Sequence, residues 1–298
     1  MLAPQHANNR SPLPSQFVVQ VCDKARNGVP FPTVTLTDRM TRSVLWKFNR
    51  SMYKSMYGYL SRHAADDVIF LNCAYEEDPP MAIPLEPADE PYRHSIQLYH
   101  ATATQNGSLT DKQILEVGCG HGGGASYLTR TFKPASYTGL DLNSAGIEFC
   151  RHRHQLPGLD FVQGHAENLP FAPESFDAVI NVESSHCYPH FDRFLSEVKR
   201  VLRPGGTFLY TDVRQSFQYD QWEAELNGSG MRIESEREIS AEVLRGMELN
   251  TPAWETVWDR YAPRLVRPVS HAPIKGETLY RDIESGNQSY RMYCLTKA

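Results

Sequence analysis

Between Lys112 and about Val213, five short apolar runs, "QILEVG", "SYTGLD", "LDFVQG", "FDAVINV" and "GTFLYTDV", alternate with amphipathic stretches near 122–132, 144–154 and 189–202. Runs of this kind form strands buried on both faces, and each intervening stretch supplies a helix to cover them. The result is a mostly parallel sheet wound with helices on both sides. In open sheets of this type, ligands bind in the loops at the carboxyl ends of the strands. The first such loop is "GCGHGGG", with five glycines between residues 118 and 124. A turn without Cβ atoms lets the main chain approach a ligand closely.

The flanking segments carry different patterns. Residues 1–35 hold several prolines and little periodicity, and are expected to form a flexible N-terminal arm. From Thr37 to Arg62, apolar residues such as Met40, Val44, Phe48, Met52 and Leu60 recur at helical spacing. That face suits either packing on the main domain or an adaptable lid over an apolar substrate. "YEEDPPMAIPLEPADEP" (75–91), with five prolines, excludes regular helix, and a helix from about Tyr92 to Gln105 follows. The expected division is therefore a 1–35 arm, a 36–105 helical lid or substrate-facing segment, and a 106–298 ligand-binding domain with a substrate-covering insertion near 240–285. Beyond Val213 the pattern predicts a helix around Trp222, a strand "MRIESEREI", a helical stretch 240–262 and a terminal strand "SYRMYCLTK" that closes the sheet edge.

Composition narrows the partners. The 298 residues carry a formal charge of −5 with no long basic run, which argues against a nucleic-acid partner. Six cysteines are scattered without a CxxC pair, as expected in a reducing cytoplasm. No uninterrupted apolar run reaches the roughly 18–20 residues of a membrane span, although peripheral association stays open. His186, Cys187 and His190 resemble a metal trio in composition, but without a second ligand pair no metal is expected.

The glycine run has three candidate ligands: a triphosphate, a dinucleotide, or a cofactor without phosphate. A triphosphate cradle needs Gly-Lys-Ser/Thr, whereas Gly124 is followed by Ala125 and Ser126. "GCGHGG" fits the dinucleotide pattern letter for letter. Against it stands Glu116, two residues before the first glycine, where a ligand-facing carboxylate would oppose a pyrophosphate but favour a cation. Asp141 ends the next strand 23 residues after Gly118, about where an acid reaches ribose hydroxyls in either case.

Taken in order, "LEVGCGHGG", "GLDLN", "GHAENLPF", "FDAVINVESSHCY" and "EVKRVLRPGGTFLYTD" resemble the class I S-adenosylmethionine-dependent methyltransferases over about residues 110–214. The resemblance implies an α/β, Rossmann-like class I methyltransferase fold with a mostly parallel seven-stranded sheet, and S-adenosyl-L-methionine as cofactor. It implies that Gly118 and Gly120 give the methionyl part room and that Glu116 holds the ammonium side directly or through water. Asp141 would accept both ribose hydroxyls, and Leu142 would lie on the adenine face. His165, Ala166 and Glu167 would frame the adenine edge, through the Ala166 amide and the side chain at 165, and Asn181 would approach the methionine moiety. His165 stands where many relatives carry Asp, which removes a fixed acceptor for the adenine amino group.

A tighter resemblance covers most of residues 65–298. "FLNCAYEEDPPMAIPLEPADEPYRHSIQLYHATATQ", "SHCYPHFDRFLSEVKRVLRPGG", "ISAEVLRG" and "SYRMYCLTK" look like the mycobacterial phthiotriol and phenolphthiotriol dimycocerosate methyltransferases and the related fatty-acid O-methyltransferases. This implies O-methylation of a hydroxyl on a lipid or polyketide-like acceptor. The expected base is His186, then His190, with Glu183 and Tyr188 nearby, all in the loop after the fourth strand. Tyr75, Glu76 and Glu77 are placed to close over cofactor or acceptor. C-methylation of an isoprenoid or sterol, O-methylation of a smaller metabolite, a non-catalytic cofactor-binding module and a nicotinamide oxidoreductase are the alternatives, and a homodimer stays open.

Overall fold

The computed structural model describes residues 68–261 and 272–298. The 1–35 arm and the Thr37–Arg62 helix lie outside the described residues, as do positions 262–271 of the expected insertion. Seven strands form one sheet: β1 (Gln113–Val117), β2 (Ser136–Asp141), β3 (Leu159–Gln163), β4 (Phe176–Val182), β5 (Leu202–Gln215), β6 (Arg232–Glu238) and β7 (Gln288–Thr296). Their order is β3-β2-β1-β4-β5-β7-β6. The first five pair in parallel, and β7 runs antiparallel to both β5 and β6.

The helices are α1 (Arg93–Ala103), α2 (Gly123–Phe132), α3 (Ser144–Arg153), α4 (Phe191–Val201), α5 (Tyr219–Gly228), α6 (Ser240–Tyr261) and α7 (Thr278–Glu284). The strands alternate their side chains between two cores, as a pleated sheet requires. Ile114, Ile180, Leu209 and Met292 enter one core, which α1, α2 and α6 cover with Ile96, Leu98, Leu128 and Met247. Leu115, Val179, Phe208 and Tyr293 enter the other, covered by Phe194 and Val198 of α4 and Trp222 of α5. Helix α1, drawn from the 36–105 segment, therefore shares the core of the main domain.

The terminal strand departs from expectation. β7 does not close the edge; it lies between β5 and β6. Tyr290, Met292, Tyr293, Cys294 and Leu295 are all buried, which only an interior strand achieves on both faces. "RIESERE" of β6 is charged and largely exposed, and it takes the edge, where charge also deters pairing with other chains. In the 240–285 region, Trp254 and Trp258 of α6 pack with Val68, Ala272 and Ile274 in a separate small cluster.

Candidate active site

The sheet order reverses direction between β1 and β4, and the crevice at their carboxyl ends is where such sheets bind ligands. A cavity of about 350 Å³ opens there. Its walls come from Ile69–Asn72, the glycine turn, Asp141–Asn143, Gly164–Ala166 and the loop from Glu183 to Pro189. Among these lining residues there is no lysine or arginine, and there are two carboxylates, Asp141 and Glu183.

The glycine turn is set by conformation and by crowding. Gly118 and Gly120 sit at φ +81° and +55°, in the left-handed region that favours glycine. Both line the cavity, but the room left at Gly118 is not open space. A Cβ there would stand 1.9 Å from Ser184 Oγ, so the missing side chain admits the protein's own loop. A Cβ at Gly120 would stand 3.0 Å from Leu71 Cδ1. The Gly120 amide donates to Asp141 Oδ2 (2.9 Å), and the Asn143 amide donates to Oδ1 (2.8 Å). These bonds aim the carboxylate while each oxygen keeps a further lone pair. Burial raises the Asp141 pKa above its ordinary value, against the pull of those amides.

Glu116 was expected to hold the ammonium side directly or through water. It is not among the lining residues; it points with Ile114 to the α1 side of the sheet, because alternate β1 residues share a face. There it is fully buried and accepts from Tyr99 Oη (3.0 Å) and Tyr137 Oη (2.7 Å). Tyr99 is the part of this trio that reaches the cavity wall. Burial pushes the Glu116 pKa up to about 7, partly offset by the two hydroxyls.

Asn181 was expected to approach the methionine moiety. It does not line the cavity; its Nδ2 donates to the Val117 carbonyl (2.7 Å) and to Tyr188 Oη (3.2 Å), tying the ends of β1 and β4 together. Its Oδ1 is buried without a protein partner. Leu142, by contrast, lines the cavity while 54% exposed, an apolar plate held out of the core.

His165 and Ala166 also line the cavity. The Glu167 amide donates to His165 Nδ1 (3.2 Å), so the neutral ring carries its proton on Nε2 and offers a donor rather than an acceptor. Glu167 is not at the wall: its carboxylate accepts from the His190 amide (2.9 Å), at the start of α4, where a negative charge suits the helix dipole.

The three candidate bases separate. His190 is exposed at the cap of α4 and outside the cavity. His186 is also outside the cavity wall, its Nδ1 bound to Asp212 Oδ1 (2.7 Å). Burial opposes the charged ring, but Cys187 and Asp212 outweigh it and raise its pKa well above the ordinary value. Glu183, at the end of β4, does face the cavity. Both its carboxylate oxygens accept from the Cys73 amide (3.0 Å each), and Tyr290 Oη lies 3.4 Å from Oε2. Burial pushes its pKa up to about 7. Its φ of +47° is a left-handed conformation for a non-glycine residue, a form of strain that gathers at functional sites.

Two further walls complete the cavity, and of their residues only Tyr188 was singled out from the sequence, as a neighbour of the expected base. Ile69–Asn72 covers the glycine turn, and Ser184 and Tyr188 share a 2.7 Å hydrogen bond over Gly118. The only sequence signal for the first was the "FLNC" resemblance. Tyr75 and Glu76, expected to close over a ligand, are instead buried: Glu76 accepts from the Met81 amide (2.7 Å) and Gln97 Nε2 (3.2 Å).

The residues present fit a cationic, phosphate-free cofactor. Two carboxylates, a half-buried one at the cavity and a fully buried one beneath it, have only neutral donors, and no lysine or arginine lines the site to hold phosphate.

Comparison with known proteins agrees with this chemistry. Residues 115–210 match a family model described as a methyltransferase domain. The chain is 58% identical over 252 residues to phthiotriol/phenolphthiotriol dimycocerosates methyltransferase 1 of Mycobacterium ulcerans, covering 83% of this chain and 92% of that protein. It is 54% identical over 259 residues to the fatty-acid O-methyltransferase of Mycolicibacterium smegmatis, covering 85% and 94%. Among solved structures, the cyclase SpnF shares the fold at 19% identity and a TM-score of 0.62, covering 82% of this chain and 94% of that one. A geranyl diphosphate methyltransferase structure with SAM shares it at 17% identity and 0.57, covering 78% and 100%. With this identity sustained over more than four-fifths of its length, the chain belongs to the S-adenosylmethionine-dependent methyltransferases, in the family of the phthiotriol/phenolphthiotriol dimycocerosates and fatty-acid O-methyltransferases.

Proposed function

We propose that the enzyme methylates an oxygen of a lipid acceptor and that Glu183 takes the proton when that oxygen is a hydroxyl. The observation that carries the proposal is the Glu183 carboxylate on the cavity wall at the end of β4, with a pKa near 7. A base poised near the operating pH is the efficient one. S-adenosylmethionine supplies an electrophilic methyl group on a sulfonium. Asp141 would hold the ribose hydroxyls, Leu142 would offer an apolar face to the adenine, the Ala166 amide and His165 Nε2 would serve its edge, and Glu116 would contribute negative charge from beneath through Tyr99. The unpaired Asn181 Oδ1 is left as an acceptor near the turn.

The lipid class follows the names of the relatives. At about 350 Å³ the cavity is at the small end for ligand sites. Among the described residues no helix is long and apolar enough to cross a membrane.

The test uses methyl-labelled S-adenosylmethionine with two acceptors, phthiotriol dimycocerosate and oleic acid. A labelled ether from the first is the expected product. A fatty acid is already ionised at neutral pH and needs no base, so Glu183→Gln should stop ether formation and spare any methyl ester formation. Ether formation at the wild-type rate in Glu183→Gln removes Glu183 as base, and no product from either lipid removes the acceptor class.

A further inference from the structure

One buried carboxylate ties the loop that leaves β4 to the neighbouring strand. Asp212 of β5 is fully buried. Its Oδ2 accepts from the Ser185 hydroxyl (2.5 Å) and the His186 amide (2.9 Å), and its Oδ1 accepts from His186 Nδ1 (2.7 Å) and the Val213 amide (2.8 Å). Arg214 Nη1, 3.0 Å from Oδ2, supplies the counter-charge. The same Ser185 hydroxyl accepts from Arg214 Nη2 (2.8 Å) and lies 2.7 Å from Tyr210 Oη, itself bound by Trp222 Nε1 (3.1 Å). Two residues upstream of Ser185 stands Glu183, whose amide donates to the Thr211 carbonyl (2.8 Å). Its left-handed backbone is strained for a residue that carries a Cβ, and such a conformation persists only where the surroundings over-determine it. Here β5 does so from both sides, with Thr211 on Glu183 itself and Asp212 on the residues that follow.

We propose that Asp212 is a positioning residue for methyl transfer: by holding Ser185 and His186 against β5, it keeps Glu183 turned into the cavity with its carboxylate on the Cys73 amide. This rests on the assignment of Glu183 as proton acceptor. The groups that face Glu183 are Cys73 from the covering segment, Tyr290 from β7, Asp212 from β5 and His186 from its own loop. Asp212 touches none of the residues assigned to the cofactor, so its loss should act on turnover and not on cofactor affinity.

The experiment is a double-mutant cycle on phthiotriol dimycocerosate. Asp212→Asn should lower turnover by about 10²-fold or more, the lower end of general-base losses, with the dissociation constant for S-adenosylmethionine near that of wild type. Combined with Glu183→Gln, it should cost little beyond Glu183→Gln alone, since residues that act as a unit are non-additive. Effects that multiply overturn the proposal. If Glu183→Gln keeps full turnover, the base assignment falls, and a crystal structure of Asp212→Asn decides the positioning role by itself. A Glu183 that leaves the left-handed region and the Cys73 amide supports it, and an unmoved Glu183 overturns it. Should Asp212→Asn not fold, Ser185→Ala removes one link without stranding a charge and is put through the same cycle and the same crystallographic comparison.

Discussion

Two acidic regions lie on one sheet with β4 between them and are stabilised in opposite ways. At β1 and β2, Glu116 and Asp141 are held by tyrosine hydroxyls and backbone amides, and burial raises both pKa values. At β5, burial would do the same to Asp212, but Arg214 and then His186 hold its carboxyl well below the usual range. A carboxylate that already has the chain's own cations is a structural element. One that has only neutral donors is left with charge to share, and a cation from outside is favourable there. The contrast separates a cofactor half from a scaffold half. Glu183 stands between them, held by an amide like the first region, with Asp212 raising its pKa and His186 lowering it.

The strongest test of that division is Glu183→Gln, which should cut turnover on a hydroxyl acceptor by about 10²- to 10⁴-fold. In the wild type the rate should rise as pH passes about 7, because the carboxylate is the active form. A flat profile from pH 6 to 8 would place the base elsewhere. Next, Arg214→Met leaves the Asp212 charge short of its counter-ion and should cost about 3–5 kcal/mol in urea unfolding, as broken buried pairs do. A loss within experimental error would mean that Asp212 does not depend on the chain's cations.

Glu116→Gln should do the opposite. The folded pKa near 7 lies above the ordinary 4.5, so the folded protein holds a proton that the unfolded chain releases. The Glu116 contribution is fully present below pH 4.5 and is lost as pH rises through about 7. The cofactor-free variant should therefore gain on wild type with rising pH, by up to about 3 kcal/mol at 1.36 per pKa unit. Chemical denaturation at pH 5 and pH 8 measures the gap, and a gap independent of pH contradicts the assignment. Asp141→Ala should weaken S-adenosylmethionine by about 1–3 kcal/mol in calorimetric titration, the worth of bonds to a charged group. The smallest effect belongs to Glu167→Ala, about 0.3–1 kcal/mol of stability from the start of α4, with cofactor affinity unmoved. Weakened binding there would return Glu167 to the site.

The parallel core, its helices, the glycine turn and Asp141 were legible in the sequence, because strand period, helix period and a strand-turn-helix junction are properties of adjacent residues. Family motifs added Leu142, His165 and Ala166, all of which line the cavity. Other features depended on which strand lies beside which. The exchange of β7 and β6 followed from the burial of both faces of β7. Glu116 turned away from the cavity because β1 alternates its faces and Tyr99 and Tyr137 were there to receive it. His186 found its partner 26 residues on, and Glu183 found its own 110 residues back, at separations that no local pattern encodes. The sequence by itself determined the parallel part of the sheet and, through its family motifs, the kind of cofactor. Tertiary structure decided which acids face that cofactor and which are already neutralised, because only the folded packing brings distant donors and cations to each carboxylate.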